Sequence, residues 1–556
     1  MSGRAGDLGP DWWRDGVIYQ IYPRSFQDSN GDGIGDLRGI IGRLDHLRGG
    51  PSALEVDGIW ISPFYPSPMA DFGYDVADYC DVDSRFGTLS DFDDLLAAAH
   101  ARGLRVIVDL VPNHTSDQHP WFVEARASRS SPKRDWYVWA DPKLDGSAPN
   151  NWQMAFSGLD RPAWTLDPGT GQFYLHSFLA QQPDLNWWNP DVRRAFDEIL
   201  RFWLDRGVDG FRIDVAHRMA RDRDLRDNPI YPVMPGEPLA FWSDEEPPMD
   251  QDHPEVHVIH RGFRRTLDEY PGRVAIGEVF ILDTRRLVRY YGEHDDQLHL
   301  AFNFAFLRAP WTATAFREQV GLFENLLPPT AWPNYTLSNH DNPRTVSRYA
   351  PANDVARGRR RARVAAMMLL TLRGTAFLYN GEEIGMADGP IPPERIVDVA
   401  GRDPARTPMQ WDASPTGGFT TGPPWLPVNP ETARVNVAAQ RDAAGSILSL
   451  YRTLIGLRRE SVALRRGTYR AVDDVPDGVF AYVREAESER WLVALNFGET
   501  PVRLAPTADG AAAPSSEFSA SVLRLSTDAE RPVGPIVGLV ELGPDEGVLV
   551  ELDAAR

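Results

Sequence analysis

Eight short runs of apolar, often β-branched residues recur along the first two thirds of the chain, separated by stretches with the spacing of amphipathic helices. Continuous apolar strands that alternate with helices are typical of βαβ units, whose parallel sheet is covered by helices. Eight such units predict an α/β fold that closes into a (β/α)8 barrel. The predicted strands are Val17–Tyr22, Gly58–Ser62, Arg105–Leu110, Gly210–Val215, Val274–Val279, His299–Phe304, Tyr335–Ser338 and Thr375–Tyr379.

Two parts of the chain do not follow this alternation. Roughly seventy residues separate the third strand from the helix predicted at Pro190–Arg206, which is too long for a simple connection and predicts a subdomain inserted over one barrel mouth. After a helical stretch at Ser446–Leu464, short alternating strands predict an antiparallel β domain. The predicted boundaries are 1–114 and 189–465 for the barrel (domain A), 115–188 for the insert (domain B), and 466–556 for a C-terminal β-sandwich (domain C).

Charge and cysteine content narrow the range of partners. The chain has 79 acidic and 58 basic residues and a net charge of −21, which disfavours nucleic acid as a partner. Cys80 is the only cysteine, so no intrachain disulfide can form. The first residues lack the apolar core of a signal peptide, and no apolar run is long enough to span a bilayer. We expect a cytoplasmic monomer or homodimer that acts on a small molecule and binds no membrane.

Reactive side chains follow several of the predicted strands. Asp109 and His114 end or follow the third strand, Asp214 lies at the end of the fourth, Glu278 at the end of the fifth, and Asp341 follows the seventh. A lone aspartate at a strand end is most often a helix cap or an ion-pair partner. Barrel enzymes, however, work at the C-terminal ends of their strands, and burying several carboxylates together is costly unless they have a function.

This set of residues matches the requirements of glycoside hydrolysis. One carboxylate attacks the anomeric carbon and a second carboxylic acid protonates the leaving oxygen, so their pKa values must differ. The neighbouring Arg212 would keep Asp214 ionised, and burial near like charge would keep Glu278 protonated. Histidines at the same mouth can bind sugar hydroxyls without adding fixed charge.

Longer motifs make the chain similar to the α-amylase family, glycoside hydrolase family 13, and within it to the oligo-1,6-glucosidase and α-glucosidase branch. The segments that carry the resemblance are DLVPNH (Asp109–His114), GFRIDVAH (Gly210–His217), GEVF (Gly277–Phe280), LSNHD (Leu337–Asp341), QPDLNW (Gln182–Trp187), GIWISPFY (Gly58–Tyr65), GTAFLYNGEEIGM (Gly374–Met386) and GRDPARTPMQW (Gly401–Trp411). The resemblance implies a retaining enzyme that needs no cofactor for catalysis.

The resemblance also implies a role for each matching residue. Asp214 would be the nucleophile, Glu278 the general acid/base, and Asp341 the residue that binds the 2- and 3-hydroxyls. The substrate-binding residues would be Tyr74 under the sugar ring, His114 and His340 on hydroxyls, Arg212 beside the nucleophile, Val215 after it, and Asp75 with Arg406 on the 4-hydroxyl of the terminal glucose. That last pair would close one end of a groove and restrict cleavage to the non-reducing end.

A glycine-rich acidic loop follows the first strand. Asp28, Asn30, Asp32, Ile34 (through its carbonyl) and Asp36 stand at alternate positions, as in the first part of an EF-hand loop. The twelfth position is Gly39 rather than glutamate, so the loop is not an EF-hand. The resemblance implies a structural Ca²⁺ or Mg²⁺ here, and the alternative is an Asx-rich turn without metal.

The residues leave several functions open. A transglucosylating, isomerising or sucrose-acting enzyme of the same family would carry the same catalytic residues. A catalytically inactive carbohydrate-binding or transport-associated scaffold is disfavoured, because all three carboxylates are present. In the resembling branch a valine after the nucleophile accompanies α-1,6 cleavage, but Ala216-His217 is closer to maltose-acting members. We expect an α-glucosidase for short oligosaccharides, with α-1,4 linkages slightly favoured.

Overall fold

A computed structural model of the chain describes residues 9–156, 161–229, 247–487, 489–504, 521–536 and 538–552. Its centre is an eight-stranded parallel sheet, which confirms the predicted fold class. The strands are β1 (Val17–Ile21), β2 (Gly58–Ile61), β3 (Arg105–Leu110), β4 (Gly210–Ile213), β5 (Val274–Gly277), β6 (Leu300–Ala301), β7 (Asn334–Thr336) and β8 (Thr375–Tyr379). They are ordered β7-β8-β1-β2-β3-β4-β5-β6, a nearly closed barrel in which, within the described residues, β6 and β7 form no ladder.

Six of the eight strands end one to three residues earlier than the apolar pattern predicts, and the sixth and fourth strands show a local cause. We expected the sixth strand to reach Phe304, but Phe304 begins a short helix whose first turn is capped by Asn303, which accepts a hydrogen bond from the Phe306 amide. We expected the fourth strand to reach Val215, but this residue has a left-handed backbone (φ 35°) that takes the chain out of the strand. Both differences occur at the barrel mouth, where side-chain hydrogen bonds decide the backbone path.

Helices cover the barrel between successive strands. Their starts follow ordinary capping chemistry: Thr88 and Asp91 form a capping box on the second helix, and Asn189 caps the third, in which Pro190 occupies the first turn. The helices that follow β1 to β8 are α1 (Leu37–Leu47), α2 (Leu89–Ala101), α3 (Pro190–Asp205), α4 (Glu255–Asp268), α5 (Thr284–Leu287), α6 (Ala313–Leu326), α7 (Val355–Thr371) and α8 (Ile447–Glu460). Shorter helices lie at Trp12–Asp15, Pro23–Phe26, Pro120–Ala127, Phe304–Leu307, Thr345–Arg348, Val437–Gln440 and Val462–Arg466.

The chain between β3 and α3 forms a small antiparallel sheet. Its strands are Trp139–Ala140, Gln172–Leu175 and Trp164–Asp167, in that order across the sheet. Before the first of these strands, Arg134–Trp136 forms a 3-10 turn and Tyr137 makes an isolated bridge with Leu185. Asp184 joins this insert to the barrel through Arg221, whose Nη1 lies 2.8 Å from the Asp184 carboxylate.

The C-terminal region is antiparallel, as predicted. One six-stranded sheet contains Thr468–Val472, Val479–Ala486, Glu489–Asn496, Glu546–Leu552, Val522–Ser526 and Gly534–Pro535, and a second ladder pairs Val502–Leu504 with Val540–Leu542. The second ladder was not predicted, because three-residue strands carry little periodicity. Apolar side chains from both sheets form a separate core between them. The domain boundaries themselves remain predictions.

This region is joined to the barrel by aromatic and ionic contacts. The rings of Trp311 and Phe497 lie 4.5 Å apart between centroids. Asp545, which is buried, accepts hydrogen bonds from Arg357 and Arg361 of α7 and from the Trp311 indole. The two units therefore share buried charge and a common apolar contact.

Asp209 is a buried carboxylate at the N-terminal end of the barrel. Asp209, which immediately precedes β4, accepts hydrogen bonds from His100 Nε2 (2.6 Å), Arg105 Nη1 (3.0 Å) and the Val106 amide (2.9 Å). Arg273 Nη1 lies 3.4 Å away. Burial alone would raise the pKa of Asp209, but the hydrogen bond from His100 and the charge of Arg105 hold it below its usual value.

No helix of the described residues combines the length and the apolar character needed to cross a bilayer.

Candidate active site

A cavity of about 300 Å³ lies where the strand ends converge. Its polar and charged wall consists of Asp71, Tyr74, His114, Asp214, His217, Arg218, Glu278, Arg308, Asp341, Asn342 and Arg402. Its apolar wall consists of Ala155, Phe156, Phe178, Val215, Phe280, Phe304, Pro343 and Ala400. The three predicted catalytic carboxylates are thus brought to one cavity from β4, β5 and the end of β7.

Arg212 joins the carboxylates beneath the cavity. Its guanidinium is 1% exposed, and its Nη1 donates to Asp214 Oδ1 (2.7 Å) and to Asp109 Oδ1 (2.8 Å). Its Nη2 lies 2.7 Å from Glu278 Oε2. Only a planar guanidinium can serve several carboxylates from fixed directions. Arg212 therefore sets the positions of Asp214 and Glu278 relative to each other.

Asp214 and Glu278 are close enough to share a hydrogen bond. Burial raises the pKa of Asp214 well above its usual range, the charges of Glu278 and Asp109 add to the rise, and Arg212 opposes it. The expectation that Arg212 alone keeps Asp214 ionised is therefore incomplete, because the acids nearby outnumber the one cation between them. The surplus of acids around Arg212 thus raises the pKa of Asp214.

Asp341 has a different environment. Arg402 Nη1 lies 3.0 Å and Arg406 Nη2 2.8 Å from its Oδ1, and His340 Nε2 is 3.2 Å from its Oδ2. Burial would raise the Asp341 pKa, but His340 and the two arginines hold it below its usual value. Asp341 therefore stays ionised more readily than Asp214.

The two predicted hydroxyl-binding histidines are buried and neutral. Burial lowers the pKa of His340 to about 3, and it also lowers the pKa of His114. Gln20 Nε2 lies 2.7 Å from His340 Nδ1, which leaves the protonated Nε2 facing Asp341. The Tyr74 ring stacks on His340 with 5.4 Å between centroids and an interplanar angle of 4°. These side chains form one packed layer along the cavity.

Asp75 and Arg406 do not line the cavity. The Asp75 carboxylate is fully buried under the loop of residues 67–75, where Ser67 Oγ and the amides of Ala70 and Asp71 donate to it. Arg406 lies behind Asp341, with its Nε donating to the His340 carbonyl (2.8 Å). The pair expected to bind the terminal glucose is therefore in the layer behind the cavity wall.

The residues four positions earlier in both loops face the cavity instead. Asp71 and Arg402 line it, and Arg402 Nη2 lies 2.5 Å from Asp71 Oδ1. Gln182, from the QPDLNW motif, donates to Asp71 Oδ2 (3.0 Å). Sequence reasoning missed Asp71, Arg402 and Gln182 as site residues, although Arg402 and Gln182 stand inside quoted motifs, and it gave Asp109 no role beyond its place at a strand end.

Val215 connects the backbone to the catalytic pair. Its amide donates to Glu278 Oε2 (3.1 Å), and its side chain is part of the apolar wall. A β-branched residue with positive φ is uncommon and marks a backbone held by its surroundings. The bend after Asp214 thus also fixes Glu278.

The acidic loop after β1 has the oxygen donors for a hard cation, with three carboxylates, the Asn30 amide and the Ile34 carbonyl. Asp28 accepts from the amides of Asn30, Gly31 and Gly33 and from the Thr420 hydroxyl, and Asp36 caps α1 through the Gly39 amide. Across the described residues, no group of three or more His, Cys, Asp or Glu side chains is arranged to hold a metal. A structural ion here stays a prediction.

Comparison with known proteins adds independent evidence. The α-amylase catalytic domain matches residues 20–467. The chain is 44% identical to a probable α-glucosidase of Rhizobium meliloti (88% of this chain, 90% of that protein) and 39% identical to an oligo-1,6-glucosidase of Heyndrickxia coagulans (88% and 93%). Its structure is similar to that of an α-glucosyl transfer enzyme, with a TM-score of 0.87, 40% identity, and coverage of 97% and 99% of the two chains.

A (β/α)8 barrel that gathers paired carboxylates at its C-terminal mouth, with relatives of this kind, is a glycoside hydrolase. The chain belongs to the α-amylase family, glycoside hydrolase family 13.

Proposed function

We propose that the protein is a retaining, exo-acting α-glucosidase that releases glucose from the non-reducing end of short α-glucosides. The observation that carries this proposal is the contact of Asp214 and Glu278 with each other and with Arg212 in one cavity. In retaining enzymes the two carboxyl groups lie about 5 Å apart, whereas inverting enzymes leave room for a water between them. Carboxyl groups in hydrogen-bonding contact favour the retaining arrangement.

The first chemical step uses both carboxyl groups. Ionised Asp214 attacks the anomeric carbon, and protonated Glu278 passes its proton to the departing glycosidic oxygen as that bond breaks. Glu278 then takes a proton from water, and the resulting hydroxyl displaces Asp214 from the glucosyl carbon. Asp341, held ionised by its arginines, would bind the 2- and 3-hydroxyls and stabilise the positive charge that develops on the sugar.

We assign the 4-hydroxyl of the terminal glucose to Asp71 and Arg402 rather than to Asp75 and Arg406. Both residues line the cavity and are joined directly to each other, so they link the loop after β2 to the loop after β8. A charged pair across the end of the cavity would leave no room for a further sugar beyond the terminal glucose.

Two features of the chain bear on the linkage preference. Val215 lines the cavity, and its side chain would favour α-1,6 linkages. The following Ala216-His217 would favour α-1,4 linkages. A single contact of this size changes preference by about 1–3 kcal/mol. We keep α-1,4 as slightly favoured, and α-1,6 and sucrose as alternatives.

Transfer of glucose to a second sugar is the second candidate activity. Four phenylalanines, Phe156, Phe178, Phe280 and Phe304, line the cavity and would limit the access of water to the glucosyl-enzyme intermediate. Chromatography of products at high maltose concentration would detect transfer as trisaccharide formed in an amount that approaches that of free glucose, because each transfer releases one glucose and forms one trisaccharide.

The test of the main proposal is glucose release from maltose, isomaltose, sucrose, trehalose and starch, run beside Asp214→Ala. We expect rapid release from at least one disaccharide, little from starch, and none from the variant. The glucose released from 4-nitrophenyl α-glucoside, whose leaving group is not a sugar, should be the α anomer when followed by NMR during the first turnovers. Dominant activity on starch would contradict the exo-acting assignment, and β-glucose would contradict retention.

A further inference from the structure

The loop of residues 67–75 has an unusual backbone. Met69 (φ 66°) and Phe72 (φ 51°) both adopt the left-handed conformation, and they stand on either side of Asp71. Residues other than glycine keep this conformation only when their surroundings hold it. The position of Asp71 therefore depends on contacts made by other parts of the loop.

One set of contacts is made by the Asp75 carboxylate. Its Oδ1 accepts from Ser67 Oγ (2.8 Å) and the Asp71 amide (3.0 Å), and its Oδ2 accepts from the Ala70 amide (2.7 Å). All three donors belong to the loop itself, and the carboxylate has no exposed surface. A carboxylate that accepts from neighbouring amides on both oxygens fixes the backbone that carries them.

A second set of contacts is made by the Phe72 side chain with residues outside the loop. The Phe72 ring lies 5.5 Å from the Arg24 guanidinium, 5.9 Å from that of Arg406, and 5.7 Å from the Trp425 ring. These groups hold the side chain of Phe72 while its backbone turns Asp71 towards Arg402 and Gln182.

We propose that Asp75 is a positioning residue that holds Asp71 against Arg402 at the end of the cavity, and so acts on the terminal sugar without touching it. This inference rests on the proposed function, in which Asp71 binds that sugar. It assigns to Asp75 a role behind the wall of the cavity, in place of direct contact with substrate.

The test is a double-mutant cycle on 4-nitrophenyl α-glucoside, which reports cleavage whatever the natural linkage is. Asp75→Asn keeps the size of the side chain but replaces one acceptor by an amide that faces the loop amides. We expect it to lower kcat/KM about tenfold, mainly through KM, and to add less than about twofold in the Asp71→Ala background. Ser67→Ala, which removes one of the three donors, should lower kcat/KM about threefold. It tests the same role if Asp75→Asn does not fold.

Asp209→Asn is the matched control, because it alters a buried carboxylate that accepts a backbone amide at the opposite end of the barrel. It should leave kcat/KM unchanged. A tenfold loss from Asp75→Asn in both backgrounds, or full activity of Asp75→Asn beside an impaired Asp71→Ala, would overturn the positioning role. If Asp71→Ala alone is fully active, the assignment of Asp71 to the sugar is wrong, and the positioning role falls with it.

Discussion

The two ends of the barrel bury the same kind of side chain in opposite electrostatic settings. At the N-terminal end Asp209 is surrounded by His100, Arg105 and Arg273, and its pKa lies below the usual value. At the C-terminal end several carboxylates compete for fewer cations, and the pKa of Asp214 is raised. Burial of an acid is thus compatible with either a structural or a chemical role. The balance of charge around the acid separates the two roles, because only the surplus of carboxylates leaves a proton to transfer.

The largest expected difference between the two ends is in catalysis. Asp214→Asn should lower kcat by at least about 10⁴-fold, because it removes the nucleophile and leaves the fold intact. Asp209→Asn should leave kcat within about twofold of the unmodified protein. Glucose release from the best disaccharide measures both. Comparable losses in the two variants would show that the ends do not differ as proposed.

The next effect concerns the arginine that joins the acids. Arg212→Lys keeps the charge but cannot contact Asp109, Asp214 and Glu278 together, so we expect kcat to fall about 10²-fold. Arg273→Lys at the other end, which changes one longer contact with Asp209, is the matched control and should keep full activity. Steady-state kinetics of both variants would measure the two effects, and thermal unfolding would show whether each variant is folded. An active Arg212→Lys would mean that charge suffices and geometry does not matter.

For stability we expect the reverse, with the important contribution at the N-terminal end of the barrel. Asp209→Asn weakens the charge-assisted hydrogen bonds that this buried carboxylate accepts from partly exposed basic side chains, and we expect a loss of about 3 kcal/mol in the free energy of unfolding near neutral pH. Because the folded-state pKa of Asp209 is lowered, its contribution is fully present above the unfolded-state pKa and is lost as the pH falls through the folded-state value. Denaturant unfolding at pH 7 and at pH 3 should therefore show a difference between variant and parent that shrinks in acid. A constant difference would contradict the lowered pKa.

The smallest effect is expected at the acidic loop after β1, which belongs to neither end. If Asp28, Asp32 and Asp36 hold a cation, chelation should lower the free energy of unfolding by about 2 kcal/mol without changing activity at 25 °C. Asp32→Ala should unfold at the same temperature with and without the chelator. Thermal unfolding that is insensitive to chelation in the parent protein would favour the Asx-rich turn.

Much of the fold could be predicted from the sequence, because each barrel strand is a short apolar run between turn residues. The third and eighth strands have the predicted bounds, while the sixth was predicted too long, since an apolar run alone does not distinguish a strand from the start of a helix. Asn303, which caps that helix, is the local signal that was overlooked.

The candidate site could be predicted to the level of loops but not of side chains. The motif GRDPARTPMQW contains both Arg402 and Arg406, whereas Asp71 and Asp75 lie in the loop after β2, and each pair repeats one residue type at a spacing of four. In the loop after β2, the left-handed backbone of Met69 and Phe72 turns Asp71 rather than Asp75 to the cavity. That conformation is held by contacts from distant segments and has no signal in the residue types themselves.

The buried link between α7 and Asp545 has a consequence for protein engineering. A chimera that joins the barrel of one relative to the terminal β domain of another would have to exchange Trp311, Arg357 and Arg361 together with the β domain. Otherwise two guanidinium groups lose the acid that compensates them. Although the β domain follows the barrel in sequence, part of the surface that stabilises it is encoded before β8, so a genetic cut placed after the last barrel helix does not separate two independent folding modules.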